Sequence, residues 1–179
     1  SPALPIKTTE SGVWHLQAFK GDQPVGEAAF AVLHRGEFTP NLALGARAVG
    51  SSPEDPQFPA SRVTDGFADH VRSFWLAYPL PASLTIDLKT PMEANRVDVV
   101  PFWAAGQGCE YRVEVLGDTG AWTNVTDSNS VAMPVTKEGQ IHRFARQKIR
   151  QVRVTVLRSA QYPPLMGRIH EVRVFLDRD

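Results

Sequence analysis

The sequence has little cysteine and no net charge. Cys109 is the one cysteine among 179 residues, so neither an internal disulfide nor a cysteine metal cluster can form. The 19 Lys and Arg residues balance 19 Asp and Glu residues, and a neutral chain has no net field that attracts nucleic acid or anionic membrane. We therefore expect no nucleic-acid partner. A secreted protein without disulfides is more typical of bacteria than of animals.

Long hydrophobic runs are also absent. No apolar stretch approaches the roughly 20 residues that span a bilayer, which predicts no transmembrane segment. The first residues show no charged region followed by an apolar one, as a secretory signal would. We interpret the chain as a mature or excised piece of a larger protein.

Catalytic motifs are missing as well. The sequence contains no Gly-x-Ser-x-Gly, no His-Glu-x-x-His and no phosphate-binding glycine loop. The acidic pairs Glu54/Asp55 and Asp65/Asp69 lie in turn-rich segments without an apolar cleft that would raise one pKa. The histidines have no ligand spacing, and His142 and His170, on strand patterns, are expected at the surface. The chain is predicted not to be an enzyme.

What the sequence does contain is a series of short alternating apolar runs bounded by Gly, Pro, Asn and Asp, with few helical signals. This pattern predicts antiparallel strands, each with one buried face. Six or seven such strands predict an all-β, two-sheet sandwich. The predicted strands are residues 83–88, 96–100, 111–115, 122–125, 141–144, 152–156 and 169–175. Trp75 and Trp122 are expected in its core.

Residues 1–38 form a separate segment in this interpretation. Two apolar runs, 12–19 and 27–33, flank the turn-forming residues 20–24, which predicts a β-hairpin with Trp14 facing Phe30. A lone hairpin is marginally stable in water. It therefore either packs on the sandwich of residues 39–179 or is the end of a preceding Ig-like domain, and we favour the second alternative.

Two distant segments indicate one cation site. Residues 59–69 lead through an Asp-Gly turn into the aromatic pair Phe74 and Trp75, and residues 169–175 form the last strand with Glu171 near its start. Calcium takes six to eight oxygen ligands, many of them backbone carbonyls. A tight Asp-Gly turn brings several such oxygens to one point.

The order of these segments resembles the discoidin family, which includes the coagulation factor V/VIII C-type domains and galactose-binding relatives of carbohydrate-binding module family 32. The resemblance runs from Asn41 onward, through the Asp65-Gly66 segment, the strand ending Asp87-Leu88 and the hairpin that reaches Trp122, to the strand containing Glu171. It implies a discoidin-like jelly-roll β-sandwich that binds a glycan or cell-surface polysaccharide and holds a structural calcium. It also implies neighbouring domains and an extracellular, periplasmic or cell-surface location.

The resemblance also implies the calcium ligands. Asp65 and Glu171 would give side-chain oxygens, Arg62 or a neighbour a carbonyl, and the other ligands would come from Phe67, Asp69 and Ser73. The segment between Asp65 and Trp75 is longer than in the usual family pattern, which weakens the assignment of Asp69 and Ser73. The alternative is that Asp65 only caps its own turn and Glu171 is solvated.

Candidate sugar-binding residues lie on the end loops of the predicted sandwich. A sugar needs an aromatic face and a few fixed polar groups. The segment 101–108 offers Trp103 as the stacking platform beside Phe102, unless one of these rings folds back over the end of the sandwich. The candidate polar groups are His70, Arg72, Arg158 and Tyr162. The function is predicted to be that of a non-catalytic carbohydrate-binding module, and the alternative is an architectural or protein-interaction domain.

Overall fold

The structure is a computed structural model that describes residues 12–32, 39–103, 108–126, 135–159 and 166–177, without the side chains of 12–14 and 29–32. It divides into two compact units, Ser1–Pro40 and Asn41–Asp179. The described residues form β1 (Gly12–Lys20), β2 (Gln23–Val32), β3 (Arg47–Gly50), a 3-10 helix (Ala60–Thr64), β4 (Trp75–Ala77), β5 (Ala82–Pro101), β6 (Cys109–Gly117), β7 (Trp122–Asn124), β8 (Gln140–Ser159) and β9 (Gly167–Phe175).

The first unit contains a β-hairpin. Strands β1 and β2 pair antiparallel, with Trp14 opposite Phe30 and Leu16 opposite Ala28. The side chains of residues 15–28 are exposed. The predicted contact between Trp14 and Phe30 falls outside the described side chains, and the origin of the hairpin in a preceding domain stays a prediction.

The second unit is the predicted all-β sandwich. Its strands follow the order β4-β9-β5-β8-β6-β7, and β3 pairs with β5. The first half of β5 pairs with β3 on one side and with the second half of β8 on the other. The second half of β5 pairs with β9 and with the first half of β8. Tyr111 lies opposite Val156, yet its hydroxyl is 2.9 Å from Nε2 of His142 on the other half of β8. The two halves of the sheet therefore face each other.

The length of β5 and β8 differs from the sequence-based expectation. Each strand has 20 residues, and each contains two of the predicted strands: 83–88 and 96–100 in β5, and 141–144 and 152–156 in β8. Between the halves of β5, Lys89 has a positive φ of 68°, and the register shifts between Asp87 and Met92. These turn signals mark a change of sheet neighbours without ending the strand.

The core lies between the two halves of the sheet. The alternating residues Leu84, Ile86 and Leu88 are buried as predicted. The other buried apolar residues of the strands include Val97, Val99, Tyr111, Val113, Val115, Val152, Val154, Val172 and Val174. Trp75 is 1% exposed, which confirms its predicted place in the core. Trp122 is half-buried instead, with the Arg153 guanidinium 4.1 Å above its ring.

Strand β9 is buried on both faces, unlike most strands of the sheet. Residues 51–74 pass over its outer face, where Gly66 N donates to Glu171 and His170 contacts the Ser73 carbonyl. The expectation that His142 and His170 lie at the surface is therefore wrong, because they are 5% and 0% exposed. Within the described ranges, no helix is long and apolar enough to cross a membrane.

Candidate functional site

The candidate site lies where β4 and β5 end and β9 begins. Ala77 is opposite Gly167 and Pro101 is opposite Ile169, so these strand ends meet at one end of the sandwich. Segment 51–74 runs beside them over β9. The site has two adjoining parts, a carboxylate cluster around Asp65 and an aromatic cluster around His170.

The carboxylate cluster joins the two segments that the sequence indicated. Asp65 Oδ1 accepts a hydrogen bond of 2.9 Å from Phe67 N, and its Oδ2 accepts one of 2.5 Å from the Ser73 hydroxyl. Gly66, at a positive φ of 82°, directs its N–H to Glu171 Oε1 at 3.2 Å. Such a φ strains any residue with a Cβ. The Asp-Gly turn therefore brings Asp65, Ser73 and Glu171 together.

Glu171 is a buried acid in this cluster. It is 0% exposed, and burial followed by the nearby Asp65 charge raises its pKa well above the ordinary value. The second carboxylate oxygen, Oε2, is buried and has no hydrogen-bond partner among the described residues. A buried acceptor left unpaired costs about 1–3 kcal/mol, and a cation at Oε2 would remove that cost.

The other predicted calcium ligands take different positions. Arg62 Nη1 lies 3.7 Å from Asp65 Oδ2, and the Phe67 carbonyl accepts from His70 N at 3.0 Å. The Asp69 side chain is 81% exposed, 3.9 Å from Lys137 Nζ, so the structure does not bring its carboxylate to Asp65 and Glu171. Within the described residues, no group of three or more His, Cys, Asp or Glu is placed to hold a metal ion.

The aromatic cluster is built around the buried His170. Its ring stacks with Phe102 at 5.1 Å and with Trp103 at 5.5 Å between ring centroids. Phe74 meets both Phe102 and His170 edge-on, and Phe58 stacks on Phe74 at 4.2 Å. His170 Nδ1 lies 2.6 Å from the Ser73 carbonyl. Burial lowers the pKa of His170, which favours the neutral ring in this stack.

Trp103 is held in a fixed orientation at the edge of this cluster. One contact is the stacking on His170, and the second is a 2.9 Å hydrogen bond from its Nε1 to the Ala68 carbonyl. The residue remains half-buried. Trp103 therefore connects the end of β5 to the segment that contains Asp65, and part of the residue stays accessible to solvent.

The predicted polar sugar ligands are only partly brought together. His70 and Arg72 are exposed on the segment next to Ala68, and Arg72 N lies 3.4 Å from His70 Nδ1. The link between their segment and Trp103 is the hydrogen bond from Trp103 Nε1 to the Ala68 carbonyl. The Arg158 side chain is 80% exposed and pairs with Glu110 at the start of β6. Tyr162 lies outside the described residues.

Sequence reasoning missed the aromatic cluster on β9. It assigned no role to Phe58, Phe74 or Arg168, and it placed His170 at the surface. The signal that could have found the cluster is the length of segment 51–74, which contains a 3-10 helix and no strand. A long connection inside a compact domain generally covers another element or carries function.

A family model and one group of solved structures resemble this chain. The family model described as F5/8 type C domain matches residues 47–169. Chitosan-binding module 1 of a chitosanase/glucanase from Paenibacillus sp. IK-5 is 26% identical; the match covers 75% of this chain and 98% of the module, with a TM-score of 0.58. No curated protein sequence matches the chain.

More distant structures share the fold. The CBM32 of AlyQ, solved with 4,5-unsaturated mannuronic acid, is 16% identical over 78% of this chain and 98% of its own, with a TM-score of 0.61. The family 32 module of NanJ from C. perfringens, solved with galactose, is 19% identical over 73% and 93%, with a TM-score of 0.59. At these identities the likeness establishes a common architecture.

Proposed function

Because the chain belongs to the F5/8 type C domain family, which matches residues 47–169, we propose that it is a non-catalytic carbohydrate-binding module of a larger secreted, glycan-active protein. The observation that carries this proposal is the half-buried Trp103, fixed by His170 and by the Ala68 carbonyl at one end of the sandwich. A sugar stacks its C–H face on an aromatic ring. A ring that is already oriented loses little conformational freedom on binding.

The known ligands of similar modules support this proposal. The solved structures include a chitosan-binding module and modules in complex with galactose and with an unsaturated mannuronic acid. In this chain, His70 and Arg72 are exposed on the segment that contains Ala68, whose carbonyl accepts the Trp103 hydrogen bond, and they would supply donors for sugar hydroxyl groups. The natural partner would then be a glycan or a cell-surface polysaccharide.

Such a module acts by keeping its parent protein on a polymer. Attachment raises the local concentration of whatever neighbouring domain acts on the glycan. This role requires a location outside the cytoplasm, at the cell surface or in the periplasm, and a bacterial source is consistent with the low cysteine content. It requires no catalytic residue in this chain.

We further propose that a structural calcium occupies the carboxylate cluster. The buried, unpaired Oε2 of Glu171 and the adjoining Asp65 carboxylate supply hard oxygen ligands, which calcium prefers. Further carbonyl or hydroxyl oxygens would come from residues close to Asp65 in the sequence, namely Arg62, Phe67 and Ser73. The exposed Asp69 would have to move to join them. The ion would tie segment 51–74 to β9 and take part in no chemistry.

Calcium removal tests the metal proposal. A ligand that binds only the folded state raises its stability by mass action. Calcium should therefore raise the Tm over that in chelator, by about 4–8 °C if the ion contributes about 2 kcal/mol. Glu171→Gln should abolish the difference, whereas Asp118→Asn, in the exposed turn after β6, should keep it. Equal Tm values for the wild-type chain in calcium and in chelator would refute the metal.

A glycan array tests the sugar proposal. The chain is screened in calcium beside Trp103→Ala, with Trp122→Ala as the matched control because that half-buried tryptophan lies on β7. We expect glycan hits that Trp103→Ala loses and Trp122→Ala keeps. Hits that survive Trp103→Ala would move the site to another loop. A blank array with folded protein would favour the architectural or protein-interaction alternative.

A further inference from the structure

Arg168 is a half-buried cation at the edge of the aromatic cluster. Its guanidinium carbon lies 4.8 Å from the Phe102 ring centroid and 5.5 Å from that of Phe74. Its Nε is buried, and none of the residues that the structure describes pairs with it by a hydrogen bond. The backbone is fixed too, because the Arg168 carbonyl accepts from Phe102 N at 3.1 Å. The side chain is therefore held against two rings while one of its donors stays unpaired.

Most arginines of the sandwich differ from Arg168 in having a carboxylate partner. Arg153 also lies over an aromatic ring, that of Trp122, but its Nε donates to Glu114 at 2.9 Å. The ion pairs of the described residues further include Arg62, Arg96, Arg112, Arg143, Arg146 and Arg158. Within the same part of the chain, no carboxylate lies in ion-pair distance of Arg168.

This arrangement prepares Arg168 for an anion. Withdrawing a guanidinium partly from water has an electrostatic cost, which the two aromatic rings offset only in part. A planar guanidinium held by rings presents its remaining N–H donors in a fixed fork. A carboxylate or a sulfate matches that fork with paired, charge-assisted hydrogen bonds.

We propose that Arg168 recognises a negatively charged group, a carboxylate or a sulfate, on the sugar that this module binds. The inference rests on the proposed function and names the ligand class of that same site. Arg168 and Trp103 belong to one cluster, since Arg168 contacts Phe102, Phe102 stacks on His170, and Trp103 stacks on His170 as well. The indole takes the apolar face of the glycan, and the guanidinium takes its anionic substituent.

The test compares acidic oligosaccharides with neutral ones of the same linkage. The probes are oligogalacturonate and oligomannuronate with their carboxyl-reduced forms, and a sulfated galactan oligosaccharide with its desulfated form. Titration calorimetry of the full chain in calcium measures each affinity at two salt concentrations. The variants are Arg168→Gln, Arg168→Lys and the matched control Arg153→Gln, and the Tm of each variant verifies that it is folded.

We expect at least one acidic probe to bind the wild-type chain about tenfold more tightly than its neutral counterpart. Arg168→Gln should lose that preference and its salt dependence, Arg168→Lys should retain part of it, and Arg153→Gln should retain all of it. Preference for uronates or for sulfated galactan identifies the anionic group. Should Arg168→Gln unfold, folded Arg168→Lys decides the test: a reduced preference at unchanged neutral binding supports the bidentate contact, and an undiminished preference contradicts it.

Three results would overturn the inference, and they differ in whether the proposed carbohydrate-binding function survives. Equal binding of acidic and neutral probes would exclude a role for Arg168 in anion recognition but leave the carbohydrate-binding function intact. The same holds if a preference for acidic probes survives Arg168→Gln. An absence of binding to every probe and to the glycan array would remove the proposed function together with the inference.

Discussion

At the residue scale, the charged side chains of the sandwich differ in how far water reaches them. Asp98 is 3% exposed on β5, yet both of its carboxylate oxygens accept hydrogen bonds of 2.8 Å from Arg96. The Arg96 guanidinium also packs on Phe175 at 4.3 Å and donates to Asp177 near the end of the chain. This pair, in which Asp98 is buried and Arg96 is half-buried, therefore joins β5 to β9 and to the residues after it.

Removing one member of a buried ion pair leaves the other unpaired. We expect Arg96→Met to lower the free energy of unfolding by about 3 kcal/mol, since the Asp98 carboxylate would remain buried without its partner. Urea denaturation at neutral pH measures the change. The double substitution Arg96→Met with Asp98→Leu should recover much of the loss, because no charge then stays buried.

The exposed pair Arg146 and Glu93 is the control for this prediction. Their side chains are 58% and 41% exposed, and surface ion pairs contribute about 0–1 kcal/mol. Arg146→Met should therefore change the free energy of unfolding by less than about 1 kcal/mol. Equal losses for Arg96→Met and Arg146→Met would mean that burial of Asp98 does not set the cost.

The burial of polar side chains was hardest to predict from sequence where a distant segment of the chain covers them. Glu171 and His170 stand in a strand pattern that is compatible with a surface position. Segment 51–74, distant in sequence, covers them. Their burial depends on contacts such as that of Gly66 N with Glu171, 105 residues apart, and no local pattern encodes such a contact. The resemblance to the discoidin family implied that Glu171 is a calcium ligand, and it implied no role for His170 or Arg168.

At the element scale, the alternation of apolar and polar residues predicted the position of the strands well. It did not predict that a strand continues through a bend. The inward residues of the predicted strands, such as Leu84, Ile86 and Val113, are buried. The sequence between residues 88 and 96 contains Pro91 and reads as a break, but backbone pairing resumes at Met92. A bulged strand can bend and change neighbours without ending, so two predicted strands form one continuous strand in β5 and two others form one in β8.

The turn before β8 shows how closely one element approaches another. Gly139 has a positive φ of 83°, and a Cβ added there would lie 2.6 Å from the Val99 carbonyl oxygen. Backbone cannot move aside as a flexible side chain can. We expect Gly139→Ala to lower the free energy of unfolding by about 3 kcal/mol, from left-handed backbone strain and overpacking together.

Gly120 separates these two causes. It has a similar φ of 76°, but nothing lies within 4 Å of an added Cβ. Gly120→Ala should therefore lose only about 1–2 kcal/mol, the cost of the backbone conformation alone. Urea denaturation of both variants measures the difference. A loss at Gly139 no larger than the loss at Gly120 would show that the turn relaxes away from β5.

At the scale of the whole molecule, the order of predicted elements along the sequence was sufficient to predict the architecture. Alternating runs separated by turn residues predicted an all-β sandwich, and the sequence of motifs resembled one family, whose model matches residues 47–169. The site followed only in part. Asp65, Ser73 and Glu171 lie together, but their role as calcium ligands stays a prediction. The packing of Trp103 on His170 depends on the three-dimensional course of segment 51–74.

The hairpin formed by β1 and β2 belongs to the first compact unit. The boundary between the two compact units falls after Pro40 in the sequence. Asn41 begins the sandwich, where its side chain accepts hydrogen bonds from Ala43 N and Val174 N. This anchor lies inside the second unit, so the shortened chain 39–179 retains it. We expect 39–179 to fold with a Tm within about 2 °C of the full chain.

The alternative, a hairpin packed on the sandwich, gives a different result. Deletion would then expose apolar surface of the sandwich at a cost of about 25 cal/mol per Å², and both the Tm and the urea midpoint would fall. The m-value separates the two cases further, since it scales with the surface exposed on unfolding. An unchanged midpoint with unchanged glycan binding would establish residues 39–179 as the autonomous module and favour a preceding domain as the origin of the hairpin.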